Sequence, residues 1–318
     1  MNNTNKCYLF AGNGSTNLGK EILRVNKDII AGEIDHVQFP SDEWYCQIKN
    51  NIRGADVFLL NSTSKPCNDN LMQLLIMADA ARRASAGRIT AIIPFVGYSR
   101  QDRKDRSRVP ISAKLVMDII EAAGVDRVVT MDLHAAQIAG FTNLPFDHLQ
   151  FRPSLVKALH YYDIDIVLAP DVGAVKRCEG YARELDVDLA IISKIRKNTT
   201  TVEAQHFIGD VTSKNVLIVD DLTESAGTLI EAASKCKTKG AHEVYCAITH
   251  GCFTDKGKER LTTAFKDGII NQLFVSNTVE IGIMSEWIKY VTYVNVAPIF
   301  ADTIVRIHNN QSVSSLFQ

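Results

Sequence analysis

None of the seven cysteines, Cys7, Cys46, Cys67, Cys178, Cys236, Cys246 and Cys252, forms a CxxC pair. An odd count without that spacing suggests neither a disulfide framework nor a zinc site, and a reducing cytoplasm is the reading that fits. The chain also lacks a charge imbalance. Its 35 Lys and Arg against 36 Asp and Glu leave a formal net charge of −1, which provides no basic field for nucleic acid or an anionic membrane. No window approaches a membrane span, and the one apolar run near the start, in MNNTNKCYLFAGNGS, is too short and too lightly charged for a signal peptide. Low-complexity segments and long linkers are missing too. These absences leave a soluble cytoplasmic protein whose partners are small molecules, with no nucleic acid and no membrane among them.

What is present fits that class. A hydrophobic content of 46% with 22% charged residues suits a globular chain with a sizeable core. At 318 residues it exceeds the roughly 250–300 at which single cores stop growing, so about two domains are expected. Short apolar runs alternate with amphipathic stretches: CYLFAG, ADVFLLNS, RITAIIPF and DRVVTMD, then DIDIVLAPD, DLAIISK, NVLIVDD, EVYCAITHG and QLFVSNT. That is the pattern of doubly wound parallel sheets, repeated over two halves that divide near Gln150. Between the second and third runs, LMQLLIMADAARRASA has helical spacing and ends near Gly87.

One motif misleads. GSTNLGKE, Gly14 to Glu21, nearly matches the phosphate-binding G-x-x-x-x-G-K-[ST], but Glu21 occupies the position of the metal-ligating hydroxyl. A carboxylate there repels phosphate, and a tight turn leading into the helix LGKEILRV is the better account.

The other strand ends carry chemistry. RITAIIPF runs into VGYSRQDRKDRSR, whose Arg100, Arg103, Lys104, Arg106 and Arg108 suit a polyphosphate, although Asp102 and Asp105 also balance them as a solvated loop would. Asp132 and His134 follow the strand RVVTM two residues apart; a carboxylate and an imidazole can hold a divalent metal, or form a structural hydrogen-bonded pair. Asp171 ends DIDIVLAPD, and Gly173 after it permits close approach of a ligand to the backbone.

The richest end is NVLIVDDLTESAGTL. Val216 to Val219 read as a buried strand, Asp220 and Asp221 follow, and a helical pattern begins near Leu229. Backbone N–H groups of Ser225-Ala226-Gly227-Thr228 at a helix start, with two hydroxyls, suit a phosphate monoester. The carboxylates suit sugar hydroxyls or Mg2+. Together they describe a phosphorylated sugar site.

This acidic pair and hydroxyl loop resemble the phosphoribosyl-pyrophosphate motif of the phosphoribosyltransferase fold. SRQD, VPISAKL, MDLHAAQIAGF, PDVGAVKR, SKIR and SVSSLF, in that order, resemble the ribose-phosphate pyrophosphokinase (phosphoribosyl pyrophosphate synthetase) family from about Phe10 to Phe317. The resemblance implies an α/β protein of two phosphoribosyltransferase-like domains, each a mostly parallel sheet flanked by helices. Residues 1–149, joined by the tail 304–318, would form the first and 150–303 the second. It further implies a pyrophosphoryl transferase that moves the β,γ-pyrophosphoryl group of Mg-ATP to the C1 hydroxyl of ribose 5-phosphate, giving AMP and phosphoribosyl pyrophosphate.

Residue by residue, the resemblance puts Phe39, Ser41, Asp42 and Glu43 of FPSDEW at the ATP of a neighbouring subunit, with Arg100 and Gln101 on the nucleotide. His134 and Asp171, with Asp132, fall on metal positions for Mg2+, for which Mn2+ can substitute. Lys194 and Arg196 lie on the family's mobile catalytic loop, although SKIRKNTTT by itself reads as an exposed basic loop after a strand. Arg196, Asp220, Asp221 and Glu224, Ser225, Ala226, Gly227 and Thr228 fall on the ribose 5-phosphate site. A docked tail carrying Leu316 and Phe317, with the segment around Arg108 and Asp147, would form a phosphate and ADP regulatory site in a homo-oligomer built from dimers, commonly hexameric in the family.

The chain departs from the family pattern at Glu224 and Ser225, where Asp and Thr are usual, and at Ser41, Ala139, Thr142 and Ala174. Two other function classes therefore stay open. One is a pyrophosphokinase acting on another ribosyl 5-phosphate such as ADP-ribose. The other is a non-catalytic regulatory subunit of a synthetase complex, against which intact Lys194, Arg196, His134 and Asp171 argue.

Overall fold

The computed structural model describes residues 5–196, 202–282 and 284–317. The chain divides into two compact units, the first comprising Met1–Gln150, Thr278–Glu280 and Val296–Gln318 and the second Phe151–Asn277 and Ile281–Asn295.

In the first unit β1 (Cys7–Ala11), α1 (Thr16–Val25), β2 (Ile30–Ala31), β3 (Ile34–Gln38), β4 (Trp44–Ile48), β5 (Asp56–Leu60), α2 (Cys67–Arg83), β6 (Arg88–Ile93), α3 (Ser112–Ala122), β7 (Arg127–Met131) and β8 (Phe146–Leu149) follow in turn. The six strands β2-β1-β5-β6-β7-β8 form one sheet, in which every neighbouring pair is parallel. Strands β5, β6 and β7 are apolar and almost wholly buried, as expected of parallel strands covered on both faces. Phe10, Val57, Leu59, Leu74, Met77, Ile93 and Met117 lie in its core. Helix α2 begins at Cys67, four residues before the periodic run LMQLL, with Asp69 in its first turn, where a carboxylate complements the positive end of the helix dipole. Strands β3 and β4 form a separate antiparallel hairpin.

In the second unit α4 (Arg152–Ala158), β9 (Ile166–Ala169), α5 (Val175–Leu185), β10 (Asp188–Arg196), β11 (Val202–Ile208), β12 (Val216–Thr223), α6 (Gly227–Thr238), β13 (Val244–Gly251), α7 (Asp255–Lys266), β14 (Gln272–Ser276) and β15 (Val291–Val294) build a seven-stranded sheet ordered β11-β10-β9-β12-β13-β14-β15. Only β10 and β11 pair antiparallel. Ile166, Leu168, Ile218, Leu229, Ile248, Leu261, Phe265 and Trp287 share its core.

The last helix, α8 (Ala297–His308), belongs to the first unit and packs on α1. Its end is tied down by charge. Buried Asp56 accepts from Arg88 Nε at 2.9 Å and lies 2.9 Å from His308 Nδ1, while Arg88 Nη2 donates to the Ile307 carbonyl at 2.7 Å. Beyond it Val313 is buried and Leu316 and Phe317, in a short 3-10 turn, are half-buried.

None of the seven cysteines forms a disulfide. Burial pushes the thiols of Cys7, Cys178 and Cys236 up to about 12 and that of Cys46 up to about 11, so they pack as small apolar groups rather than react. No described helix is long and apolar enough to cross a membrane.

Candidate active site

In an open α/β sheet, ligands collect outside the carboxyl ends of strands where the strand order reverses. In the second unit that point lies between β9 and β12, which are neighbours although β10 and β11 intervene in sequence. Asp171 and its turn leave β9; the carboxylate pair and hydroxyl loop leave β12.

Asp171 begins a 3-10 turn over Val172–Ala174, and its Oδ1 accepts from Ala174 N at 3.0 Å. The side chain is exposed. Strand β12 differs from the sequence expectation: it continues past Val219 to Thr223, in register with β13, with Asp220 opposite Ile248 and Leu222 opposite His250. The carboxylates therefore sit on the strand itself, held by its ladder, because pairing with buried β13 continues after the apolar run has ended.

Asp221 is only 4% exposed. Its charge is answered by Arg177 of α5, whose Nη1 lies 3.1 Å from Asp221 Oδ1 and 3.4 Å from Asp220 Oδ1. The Asp221 backbone N–H donates to Asp220 Oδ1 at 2.9 Å. Two adjacent carboxylates thus share one nearby guanidinium. Burial, reinforced by the neighbouring Asp221 carboxylate and its hydrogen bond, pushes the Asp220 carboxyl well above the usual carboxylate range, against the opposing pull of Arg177.

Beyond Thr223 come Glu224, Ser225 and Ala226, then α6 from Gly227. Ala226 is buried with φ +55°, a left-handed conformation that costs a residue with a Cβ about 1–2 kcal/mol and persists only where its surroundings impose it. No described side chain caps the α6 N-terminus. Its first-turn N–H groups suit an anion.

The equivalent reversal in the first unit lies between β1 and β5, beside the misleading GSTNLGKE. There the protein fills the cradle itself. Gln73 Oε1 accepts from Asn13 N at 2.7 Å, Asn61 Oδ1 from Gly14 N at 2.9 Å, and Glu280 Oε1 from Asn17 N at 2.6 Å. A Cβ on Gly14 would come within 2.3 Å of the Ser62 carbonyl, so this glycine serves close packing. The expected tight turn into α1 is what the structure contains.

The other predicted residues of this unit lie on the β3–β4 hairpin and in the segments that follow β6 and β7. Phe39, Ser41, Asp42 and Glu43 form the exposed tip of the β3–β4 hairpin, closed by Phe39 N to Glu43 O at 2.9 Å and by Ser41 Oγ to Glu43 Oε2 at 2.8 Å, with Asp42 at φ +65°. Arg100 is exposed after β6. Gln101 is held at the start of α3, accepting from Ser112 Oγ at 2.5 Å and, through its carbonyl, from Ala113 N at 3.2 Å. Asp102 accepts from Gln137 Nε2 at 2.9 Å. Asp132 is half-buried with φ +36°, and its N–H donates to Leu149 O at 3.0 Å; His134 is exposed two residues later. Asp147 pairs with Arg127 Nη1 at 2.5 Å. Among the described residues no three His, Cys, Asp or Glu side chains gather as a metal cluster.

Known proteins decide the family. The chain is 42% identical to the ribose-phosphate pyrophosphokinase of Clostridium perfringens, over 100% of this chain and 99% of that one, and 41% identical to ribose-phosphate pyrophosphokinase A of Dictyostelium discoideum, over 97% of each. The chain belongs to the ribose-phosphate pyrophosphokinase family. Residues 7–124 match the family model described as the N-terminal domain of ribose phosphate pyrophosphokinase, and residues 202–318 the phosphoribosyl synthetase-associated domain. The solved phosphoribosylpyrophosphate synthetase of Mycobacterium smegmatis superposes with a TM-score of 0.87 at 36% identity, covering 96% of this chain and 100% of that one. The sequence resemblance and the expected α/β class, parallel sheets flanked by helices, both hold, and the chain is an enzyme of this pyrophosphokinase family.

Lys194 and Arg196 differ from the sequence expectation in their backbone placement. Rather than following a strand, both belong to β10, with Lys194 opposite Gln205 and Arg196 opposite Val202 in β11 and a register shift between Ile195 and Arg196. Their side chains lie outside the described residues, as do residues 197–201. Arg177 is the residue that sequence reasoning overlooked. It was legible only as a basic residue in PDVGAVKR, and nothing local tied it to carboxylates 43 and 44 positions away.

Proposed function

We propose that the chain transfers the β,γ-pyrophosphoryl group of ATP to ribose 5-phosphate. The C1 hydroxyl oxygen bonds to the β-phosphorus, the bond from that phosphorus to the α,β-bridging oxygen breaks, AMP leaves with that oxygen, and the hydroxyl proton passes to solvent or a nearby base. The observation that carries this reading is the crevice between β9 and β12, where a carboxylate pair on one arginine adjoins an uncapped helix start. Asp220 and Asp221 accept the ribose hydroxyls, and Ser225, Ala226, Gly227 and Thr228, with Glu224 before them, cradle the 5-phosphate. Lys194 and Arg196 stabilise charge on the transferring group, while Arg100, Gln101 and the Phe39–Glu43 hairpin hold the nucleotide.

Mg2+, which Mn2+ can replace, offsets charge on the ATP phosphates. His134, Asp132 and Asp171 are the side chains that would hold it, since carboxylate and imidazole donors suit a divalent ion. Activity is expected to vanish in excess chelator, and His134→Ala to need more metal for half-maximal rate; full activity in chelator would exclude metal dependence. The deciding assay incubates the protein with Mg-ATP and either ribose 5-phosphate or ADP-ribose, following AMP release and product mass. AMP formed only with ribose 5-phosphate supports the reading; release only with ADP-ribose, or none with either, overturns it.

The exposed aromatic tip at Phe39 supports a nucleotide site completed by a neighbouring copy, hence a cytoplasmic homo-oligomer built from dimers, of the hexameric size common in the family. Light scattering during the assay is expected to find activity only in the oligomer, and a fully active monomer would overturn the shared site.

A further inference from the structure

Resting on the ribose 5-phosphate reading of the β12–α6 loop, we infer that the start of α7 positions this loop: Thr254 and Gly257 fix the Glu224 carbonyl and Arg260 the Ser225 carbonyl. The Glu224 oxygen accepts from Thr254 N at 3.0 Å and from Thr254 Oγ1 at 3.2 Å. That hydroxyl in turn accepts from Gly257 N at 3.1 Å, so one side chain caps α7 and grips the loop. Arg260 Nη1 donates to Ser225 O at 3.3 Å. Gly257 is buried, and a Cβ there would fall 2.1 Å from the Glu224 oxygen and 3.2 Å from both Glu224 C and Ser225 Cα. All three are backbone atoms, which cannot swing aside as a side chain could.

The consequence follows from peptide geometry. In a planar trans peptide the C=O of one residue and the N–H of the next point in opposite directions. Holding the Glu224 and Ser225 carbonyls toward α7 therefore aims the Ser225 and Ala226 N–H groups away from it. Those donors belong to the proposed phosphate cradle, and the grip ends at Ala226, whose left-handed backbone needs enforcement from outside. Thr254, Gly257 and Arg260 touch no substrate in this scheme; they act through the loop.

The test measures steady-state kinetics for Gly257→Ala, Thr254→Val and Thr254→Ser, with folding checked by circular dichroism and light scattering. A misplacement of about 1 Å at a binding loop can cost on the order of 10²-fold, so Gly257→Ala should raise the KM for ribose 5-phosphate by roughly tenfold or more. The KM for Mg-ATP should stay within about twofold, because the loss is confined to one substrate's binding. Thr254→Val should raise the same KM and Thr254→Ser should restore it, since only the hydroxyl contact differs. A merely structural role would lower stability without separating the two KM values. Should Gly257→Ala fail to fold, the Thr254 pair decides alone. Folded variants with wild-type KM for ribose 5-phosphate overturn the inference while leaving the reaction intact; a wild-type protein that neither binds nor turns over ribose 5-phosphate overturns both.

Discussion

Arg177→Met is expected to destabilise the second unit by about 3 kcal/mol at neutral pH, the low end of the range for removing one partner of a buried ion pair, since Arg177 is itself 24% exposed. In thermal unfolding that corresponds to a fall in Tm of about 6–12 °C for a unit of this size. The reason is local. Asp221 is buried, Asp220 lies beside it, and Arg177 is a cation within reach of both. Removing it takes the guanidinium from the buried Asp221 carboxylate and from the Asp220 carboxyl beside it in a poorly solvated strand.

The pH dependence has a defined sign. Asp220 has a folded-state pKa raised above its unfolded value, so between those values the native protein holds a proton that the unfolded chain releases. Stability from this group is therefore complete below the ordinary carboxylate range and declines as pH rises toward the raised folded value. Loss of Arg177 raises that value further. The difference in Tm between variant and wild type should consequently be smallest in acid and grow with pH. A variant as stable as wild type across the range would remove Arg177 as the charge partner of the pair. In activity assays the same substitution should raise the KM for ribose 5-phosphate, because Arg177 no longer holds the Asp220 and Asp221 side chains in place beside the loop.

Lys194→Ala is expected to lower kcat by roughly 10²-fold or more with the fold retained, the scale on which loss of one preorganised electrostatic group acts. Transfer of a pyrophosphoryl group asks the protein for alignment and for positive charge near oxygens whose charge builds up, and no protein nucleophile is needed. Lys194 pairs with Gln205 through the backbones of β10 and β11, which an alanine keeps, so the substitution removes charge without removing a backbone pairing. Arg196→Ala should behave alike. A kcat near wild type in folded Lys194→Ala would refute the role.

Much of this molecule could be read locally. Apolar runs such as VFLL, AII and VLIV are self-announcing because a strand covered on both faces must be apolar along its length. The mismatch at Glu21 disqualified the first glycine loop, and the sequence DDLTESAGT announced an acidic strand end before a helix. Family membership was also legible, because motifs in fixed order over one chain need no tertiary contact to be recognised.

Other features have no local signal. The hairpin of β3 and β4 is mostly exposed and its longest apolar run, Trp44-Tyr45-Cys46, is too short to announce a pair of strands. Strand order is a property of pairing, and only it makes β9 and β12 neighbours and so creates a crevice between Asp171 and the Asp220 loop. The end of β12 depends on β13 continuing beside it. That the first unit's loop is closed from within depends on Asn61 and Gln73, 47 and 60 residues from the amides they accept. The sequence by itself determined the elements, the family and the residue types at the site, since those follow from periodicity and motif. Tertiary structure alone decided that the first unit's glycine loop is filled by its own side chains, that Arg177 serves both carboxylates, and that α7 grips the loop, because each is a contact between segments whose separation along the chain leaves no periodic trace.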